Sequence, residues 1–575
     1  MATEELVTEQ FQFLGIEVPK EVLSKCVSLC AEYDVDAETF IEQWMAFSLT
    51  ALNGAGPTLE NINLLEKREF SKRSATRNTN DTTGTSLTVY GAPASIQPEN
   101  EVLSNYMSDT PKRVKTEHTE QSSNQIELRP ATYSPSVDHS GKYSSRTNQG
   151  SVVYSYGDEK LLATLANATS ASDITDLNIS QVRNDDGELY TKAMFGFELL
   201  HEKASTFDNH IRYISQCIMK KNGITESSSV RHKTQTEVYV AGRIECDADA
   251  RLNSKSVVLQ GTWDESLSLV VPVDLDNVAQ YSLFPGQVVV LKGVNPRGDK
   301  FIARRVVTDA ARPAPAPNAD LMNTLKGTIS MVISAGPYTT STNMAYEPLK
   351  DLISYVSAHK PQLLLMTGPL LDCDHAKVKD HSMAETYKAF FDKLLDNIGE
   401  IATASPFTKI YIVSSQKDAF HVNIYPTPAY SSRKRHPNIH FVPDPCTLNV
   451  DGVLVGITST DVLMHISQEE ISLGMGGDKL ARLAGHILAQ QCYYPLWPAA
   501  APVDAALWAA HAQLPATPHI LVLPSNLRYF VKEVNGCVVV NPEHLTKGAG
   551  GGTFARVLVE PTNDAINVAA QIVRI

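Results

Sequence analysis

Apolar residues over the first 70 positions recur at helical spacing. Thr3 is placed to cap a first helix, Pro19 opens a second, and Asp36 caps a third running through Phe40, Ile41, Trp44 and Phe47. Val22, Cys26, Leu29 and Cys30 fall at i, i+4, i+7 and i+8, which puts both thiols on one helix face and reads as core packing, not as metal or redox chemistry. Residues 1–70 are expected to form a small all-α domain.

From 71 to 155 the periodicity disappears and Ser, Thr, Asn and Gln dominate, so a disordered tether is expected there. Within it Thr110-Pro111-Lys112-Arg113 has the form favoured by proline-directed kinases, and Ser134-Pro135 is a second candidate phosphosite. Lys112, Arg113 and Lys115 form a short basic cluster that also reads as a nuclear-import signal.

A helical lead-in is expected over 156–230, with Leu199, Leu200, Phe207, Ile211, Ile214 and Ile218 of a helix at 197–222 turned to a core. Over 231–310 the period changes to that of strands, at 238–246, 256–261, 266–273, 287–294 and 300–307, with a helical turn at Asn277 to Tyr281 between the third and fourth. That is the order of an OB-fold β-barrel. The stretch 311–320, ARPAPAPNAD, is a semi-rigid Pro-rich connector. Residues 321–575 alternate buried-type strands (328–334, 362–367, 409–414, 453–457, 519–523, 537–541, 554–560) with helical patterns, notably 345–358, 379–397 and 477–491, which makes an α/β domain.

Composition narrows the function. At 575 residues the chain exceeds what one core supports, and hydrophobic and charged fractions of 43% and 20% are those of globular domains. A formal net charge of −14 argues against a wide nucleic-acid-binding face. OB folds bind single strands through exposed aromatics, so Tyr239, Trp263 and Phe301 are candidate base platforms. Against them, Glu245, Asp247, Asp249, Asp264, Glu265, Asp274 and Asp276 crowd the same segment, and a protein-facing role is favoured. The eight cysteines, without a Cys-x-x-Cys pair, are read as reduced thiols. The first residues, MATEELVTEQ, lack the pattern of a signal peptide, and no membrane segment is expected.

The strand spacing of the last domain resembles the calcineurin-like metallophosphoesterase fold, whose two cations are held by Asp, His and Asn from loops at the carboxyl ends of several strands. In this chain those positions read otherwise. Ser334 and Gly336 stand where Asp-x-His belongs, Pro369 replaces a bridging carboxylate, and Gln416 and Lys417 replace an Asn-His pair. Ser525 stands in place of a His, and Pro542 and His544 fall in place of Gly-His-x-His, leaving His544 as the one imidazole. Asp372 and Asp418 persist at positions that in the active family support the loops. Asp372-Cys373-Asp374-His375 are adjacent on a loop and ill placed to converge on one ion, and GAGGGT (548–553) lacks the Lys-Ser/Thr ending of a phosphate loop. The expectation is an inactivated phosphoesterase domain with no cofactor and no enzymatic activity.

An OB barrel followed by such a domain resembles the B subunits of replicative DNA polymerases. The segments GITSTDVLMHISQEEIS (456–472), HILAQQCYYPLWP (486–498), LPSNLRYFVKEVNGCVVVNPEHLTKG (523–548) and GGTFARVLVE (551–560) are similar to those of the polymerase alpha type. The resemblance implies a nuclear, non-catalytic scaffold for replication initiation that binds the C-terminal domain of the DNA polymerase alpha catalytic subunit and helps link it to the primase subunits. It also implies an N-terminal domain that recruits other replication factors, and little direct nucleic-acid binding. The alternatives are the B subunit of polymerase delta or epsilon, an active phosphoesterase, and an OB-type single-strand binder.

Overall fold

The computed structural model describes residues 11, 18–33, 40–41, 44, 57–65, 141–165, 177–182, 195–315, 327–561 and 566–575. The chain forms two compact units, Met1–Ser134 and Pro135–Ile575.

In the first unit, helices Lys20–Tyr33 and Leu59–Leu65 enclose a core of Phe11, Val22, Leu23, Cys26, Leu29, Cys30, Phe40, Ile41, Trp44, Ile62 and Leu65. Cys26 is fully buried, and burial, reinforced by Cys30, pushes its thiol up to about 12. A thiol so held stays protonated and packs as a small apolar group. Thr3, Asp36 and Phe47 lie outside the described residues.

The second unit holds a barrel and a four-layer α/β body. The barrel closes through Thr234–Cys246, Val257–Gln260, Val270–Asp274, Phe301–Val307 and Val288–Asn295 in that order. Leu259, Val271, Val289, Leu291 and Phe301 fill its interior. Val288–Asn295 is buried along almost its whole length, because helix Leu200–Lys221 lays Ile211, Ile214 and Ile218 against its outer face. Three sequence expectations fail here. The short helix lies at Trp263–Ser266, where Thr262 caps the N–H of Glu265, and the third strand starts only at Val270. No helix forms at 277–281; that stretch feeds the strand Tyr281–Leu283, which pairs outside the barrel with Ile471–Leu473. Leu199 and Leu200 were expected to face a core and are 57% and 88% exposed, because the helix begins there, beyond the reach of the barrel.

The α/β body is a sandwich of two sheets between helices. One sheet orders Val152–Tyr156, Ile566–Arg574, Thr553–Pro561, Ile329–Ala335, Leu363–Thr367, Lys409–Val413 and Ile439–Val442; its last four strands are parallel. The other orders Phe530–Val534, Cys537–Asn541, Ile520–Val522, Val453–Ile457, Cys446–Val450 and Ile179–Val182, with Val453–Ile457, Ile520–Val522 and Cys537–Asn541 parallel. Their facing sides form one core, including Ile333, Leu365, Val413, Val455, Val522 and Val540. Helices Glu347–His359 and Tyr387–Gly399 cover the first sheet, and Val462–Glu469, Lys479–Ala489 and Ala505–His511 the second.

The expected tether to 155 and the helical lead-in from 156 both need correction. Gly141–Ser144 is helical, Val152–Tyr156 is the outermost strand of the first sheet, and Ile179–Val182 closes an edge of the second. Short strands at a sheet edge carry few apolar residues, so their signal drowns in the Ser- and Gly-rich sequence around them.

Candidate functional site

Parallel strands bring their carboxyl ends to one edge, where loops converge on a site in layered α/β proteins. Here hydrogen bonds tie together loops from both sheets. His544, after Cys537–Asn541, donates from Nδ1 to the Gly336 carbonyl at 2.6 Å, and the Asn526 N–H donates to Asp461 at 2.8 Å. The former contact fixes the His544 tautomer, since a carbonyl only accepts. Burial holds its imidazole below its ordinary value, with Asp461 opposing and Lys417 reinforcing that shift.

Most of the positions singled out in the sequence are closed on themselves, Gln416 and Lys417 being the exceptions. Ser334 is fully buried, its Oγ 3.3 Å from the Tyr338 hydroxyl, which also lies 3.1 Å from the Thr367 carbonyl. Gly336 donates its N–H to the Thr367 carbonyl, and a Cβ there would run into the Pro369 carbonyl, so this turn admits only glycine. The residues after Pro369 point their N–H groups at Asp418: Leu370 and Leu371 both donate to its Oδ1, at 2.8 and 2.7 Å. Tyr430 donates to the other oxygen of Asp418 while its own oxygen accepts from the Ser415 N–H at 2.8 Å. Burial raises the Asp418 carboxyl to about 7, against the hydrogen bonds from Tyr430, Leu371 and Leu370. Lys417 reaches outward, 3.9 Å from Asp374, and Gln416 is buried with its Oε1 unpartnered among the described residues. Ser525 takes the Leu527 N–H on its Oγ at 3.1 Å, and the Pro542 carbonyl accepts from Thr553 at 2.7 Å.

Sequence reasoning missed two anchors. Asn541 accepts from the N–H groups of Ser525 and Glu543 on Oδ1 and donates from Nδ2 to the Leu527 and Arg528 carbonyls, joining the loops after two strands. Asp444, fully buried, takes Thr458 Oγ1 at 2.7 Å, Ser459 N and Oγ at 2.9 and 2.7 Å, and Thr460 Oγ1 at 3.0 Å. The Asp-Pro dipeptide and the Thr-Ser-Thr run were the available signals.

Among the described residues, Asp372, Cys373 and Asp374 are the one His/Cys/Asp/Glu group of three whose ligand atoms lie within 4.8 Å of one another. Asp372 accepts the Asp374 N–H at 2.9 Å and Asp374 pairs with Lys379 at 2.9 Å, so both carboxylates already have partners. The Gly-rich stretch forms a hairpin, with Thr546–Lys547 paired to Gly550–Gly551, and cradles no helix N-terminus. Thr110, Ser134, Lys112, Arg113 and Lys115 lie outside the described residues.

Three family models match in chain order. They describe the N-terminal domain of the DNA polymerase alpha B subunit over 4–72, the OB domain of the same B subunit over 204–309, and the B subunit of DNA polymerase alpha/epsilon over 331–532. The DNA polymerase alpha B subunit of Mus musculus is 32% identical over 100% of both chains, and that of Drosophila melanogaster 30% identical over 100% of both. The chain belongs to the family of DNA polymerase alpha B subunits. A solved structure of vacuolar protein sorting 29 from Cryptosporidium parvum overlaps 43% of this chain and 99% of its own at 11% identity, with a TM-score of 0.21, too low to carry an argument.

In this alpha-type B subunit the barrel is the OB domain, and of its three candidate base platforms Phe301 is wholly inside the core. Tyr239 is half-buried against the covering helix, and only Trp263 stands out, 60% exposed. The crowded acids are partly neutralised, Asp264 by Arg212, Asp274 by Lys300, Asp276 by Lys255 and Glu245 by Arg243.

The OB domain is welded to the α/β body through polar groups the sequence left unnoticed. Buried Glu470 accepts from Arg482 Nε at 2.8 Å, from His486 Nε2 at 3.1 Å, and from the Ser282 hydroxyl of the barrel side. Burial alone would raise its carboxyl, yet the bonds from His486, Arg482 and Ser282 outweigh burial and hold it at about 2. Gln490 pairs with Val288 as a strand would, accepting its N–H at 2.8 Å and donating to its carbonyl at 3.0 Å. Phe207 packs its ring 4.4 Å from Trp497 and 5.5 Å from Trp508.

Proposed function

We propose that this chain is the non-catalytic scaffold of a nuclear DNA polymerase alpha–primase assembly, binding the C-terminal domain of the catalytic subunit and supporting primer synthesis at replication initiation. The observation that carries the reading is the match, over the full length of both chains, with proteins named as B subunits of DNA polymerase alpha. The closed loops support it. A two-metal hydrolase needs deprotonated oxygens and imidazoles free to face two cations, whereas Ser334, Gly336, Pro369, Gln416, Lys417, Ser525 and Pro542 supply none, and the Nδ1 of His544 is committed to Gly336. On this reading the body is a calcineurin-like phosphoesterase fold kept for its surface and not for its chemistry.

The rigid OB and α/β face holds the catalytic subunit, and the N-terminal domain at 1–70, on the tether that follows it, recruits other replication factors. Phosphorylation of Thr110 or Ser134 tunes that recruitment; phosphopeptide mapping through the cell cycle that finds both sites unmodified removes this part. The scaffold reading is tested by mixing the full chain in turn with the C-terminal regions of the alpha, delta and epsilon catalytic subunits, followed by size-exclusion chromatography with light scattering. A one-to-one complex with alpha alone supports it, and a complex with delta or epsilon in its place refutes it.

A further inference from the structure

Directly after Tyr430, which closes on Asp418, the chain carries a compact cationic loop. Residues 431–437 lead into the amino end of the edge strand Ile439–Val442, while the candidate site lies at the carboxyl ends of its parallel neighbours. The loop reads Ser431-Ser432-Arg433-Lys434-Arg435-His436.

It is held by one face of helix Tyr387–Gly399. Lys388 donates to the Ser431 carbonyl, and Ser432 Oγ donates to Asp392 at 2.9 Å and accepts the Lys434 N–H at 3.1 Å. Lys434 pairs with Asp396, and His436 lies 3.5 Å from the same carboxylate. Thus Ser432 and Lys434 are tied down by their side chains and His436 by its backbone carbonyl, which accepts the Ile439 N–H, and the residues between them are not. Arg433 and Arg435 are exposed and make no hydrogen bond or ion pair among the described residues. Lys388 sits over the rings of Phe391 and Phe420, where burial, reinforced by Arg433, lowers its ammonium below the ordinary value. Four cations thus face two carboxylates, Asp392 and Asp396, in a chain whose net charge is −14.

We propose that Arg433 and Arg435 form a phosphate-binding fork for the backbone of single-stranded nucleic acid handled by the assembly. A guanidinium presents planar paired donors suited to phosphate oxygens, and a loop anchored on both sides of each arginine loses little entropy on contact. An import receptor that reads an extended basic segment would first have to free Lys434 from Asp396. An acidic peptide would satisfy the same charges; the choice of nucleic acid rests on the proposed function, under which this chain is part of a DNA polymerase assembly. Two contacts are local and agree with an acidic chain that has no wide basic face.

The test is fluorescence anisotropy of the full chain with a labelled single-stranded oligodeoxynucleotide, titrated at several salt concentrations. Each phosphate contact contributes about 0.7 to the slope of log affinity against log salt, so the double variant Arg433→Ala and Arg435→Ala should flatten it by about 1.4. Between roughly 50 and 200 mM salt the unaltered protein would then lose about sevenfold more affinity than the variant. A control removing two other exposed cations, Lys220→Ala with Lys350→Ala, should leave the slope in place. The proposal is overturned if the unaltered chain shows no salt-sensitive binding, if the arginine variant keeps its slope, or if the control loses as much. A poly-glutamate probe that responds to the arginines while the oligonucleotide does not would assign the loop to an acidic protein segment and overturn it equally.

Discussion

His544 and Gly336 come from different sheets of the α/β body and meet at 2.6 Å, the imidazole Nδ1 donating to the glycine carbonyl. The contact commits the imidazole to holding two loops together. Ser334, Ser525, Pro542 and Asp418 are likewise satisfied by hydrogen bonds within the loops, whereas Gln416 keeps its Oε1 unpartnered among the described residues and Lys417 reaches outward.

The Asp418 carboxylate is the clearest instance, and it makes stability depend on pH. Its folded value of about 7 lies above the 3.8 of the free group, so between those values the folded protein holds a proton that the unfolded chain has released. Its contribution is therefore most favourable below 3.8 and declines as pH rises through 7. Asp418→Asn, which keeps the acceptor for Leu370 and Leu371, should flatten the pH dependence of Tm across this window. Asp418→Ala, which orphans both N–H groups, should cost about 3 kcal/mol in urea unfolding at pH 6. An unchanged pH profile for the Asn variant would show that Asp418 titrates normally.

Glu470 has the opposite sign. Held at about 2 against 4.5 for the free group, it contributes fully above 4.5 and loses that contribution as pH falls towards 2. Glu470→Ala leaves Arg482 and His486 without their acceptor at the seam between barrel and α/β body, and should destabilise the protein by about 3–5 kcal/mol. It should also split the calorimetric transition of the unit Pro135–Ile575 into two. One unsplit transition with an unchanged midpoint would mean the seam does not depend on this carboxylate.

Phe207 fills the same seam from the covering helix. Phe207→Ala opens a cavity beside Trp497 and Trp508 and should cost about 3–5 kcal/mol, with a red shift of tryptophan emission as water reaches the indoles. A loss below about 1 kcal/mol would place the binding energy of the seam elsewhere.

Much of this architecture was legible in the chain because buried strands such as Leu363–Thr367 and Cys537–Asn541 are continuous apolar runs bounded by turns. The loop residues after them could be read one by one for the same reason. What escaped depends on distant partners. Val152–Tyr156 is a strand only because Ile566–Arg574 offers it an edge, and Glu470 reaches the barrel side through Ser282, 188 residues away. The helix at Trp263–Ser266 was a local signal overlooked, a Thr262 cap inside a stretch that alternates like a strand. Leu199 and Leu200 show the limit of periodicity, which marks a face without saying where the covering barrel stops.

The most direct test of the proposal that the α/β body is a phosphoesterase fold without its chemistry is elemental analysis of the purified full chain after incubation with manganese and zinc, paired with hydrolysis of a phosphodiester substrate on the same sample. The account predicts far less than one metal per chain and no turnover above the metal-only blank. About two metals per chain with metal-dependent hydrolysis, abolished by His544→Ala, would contradict it.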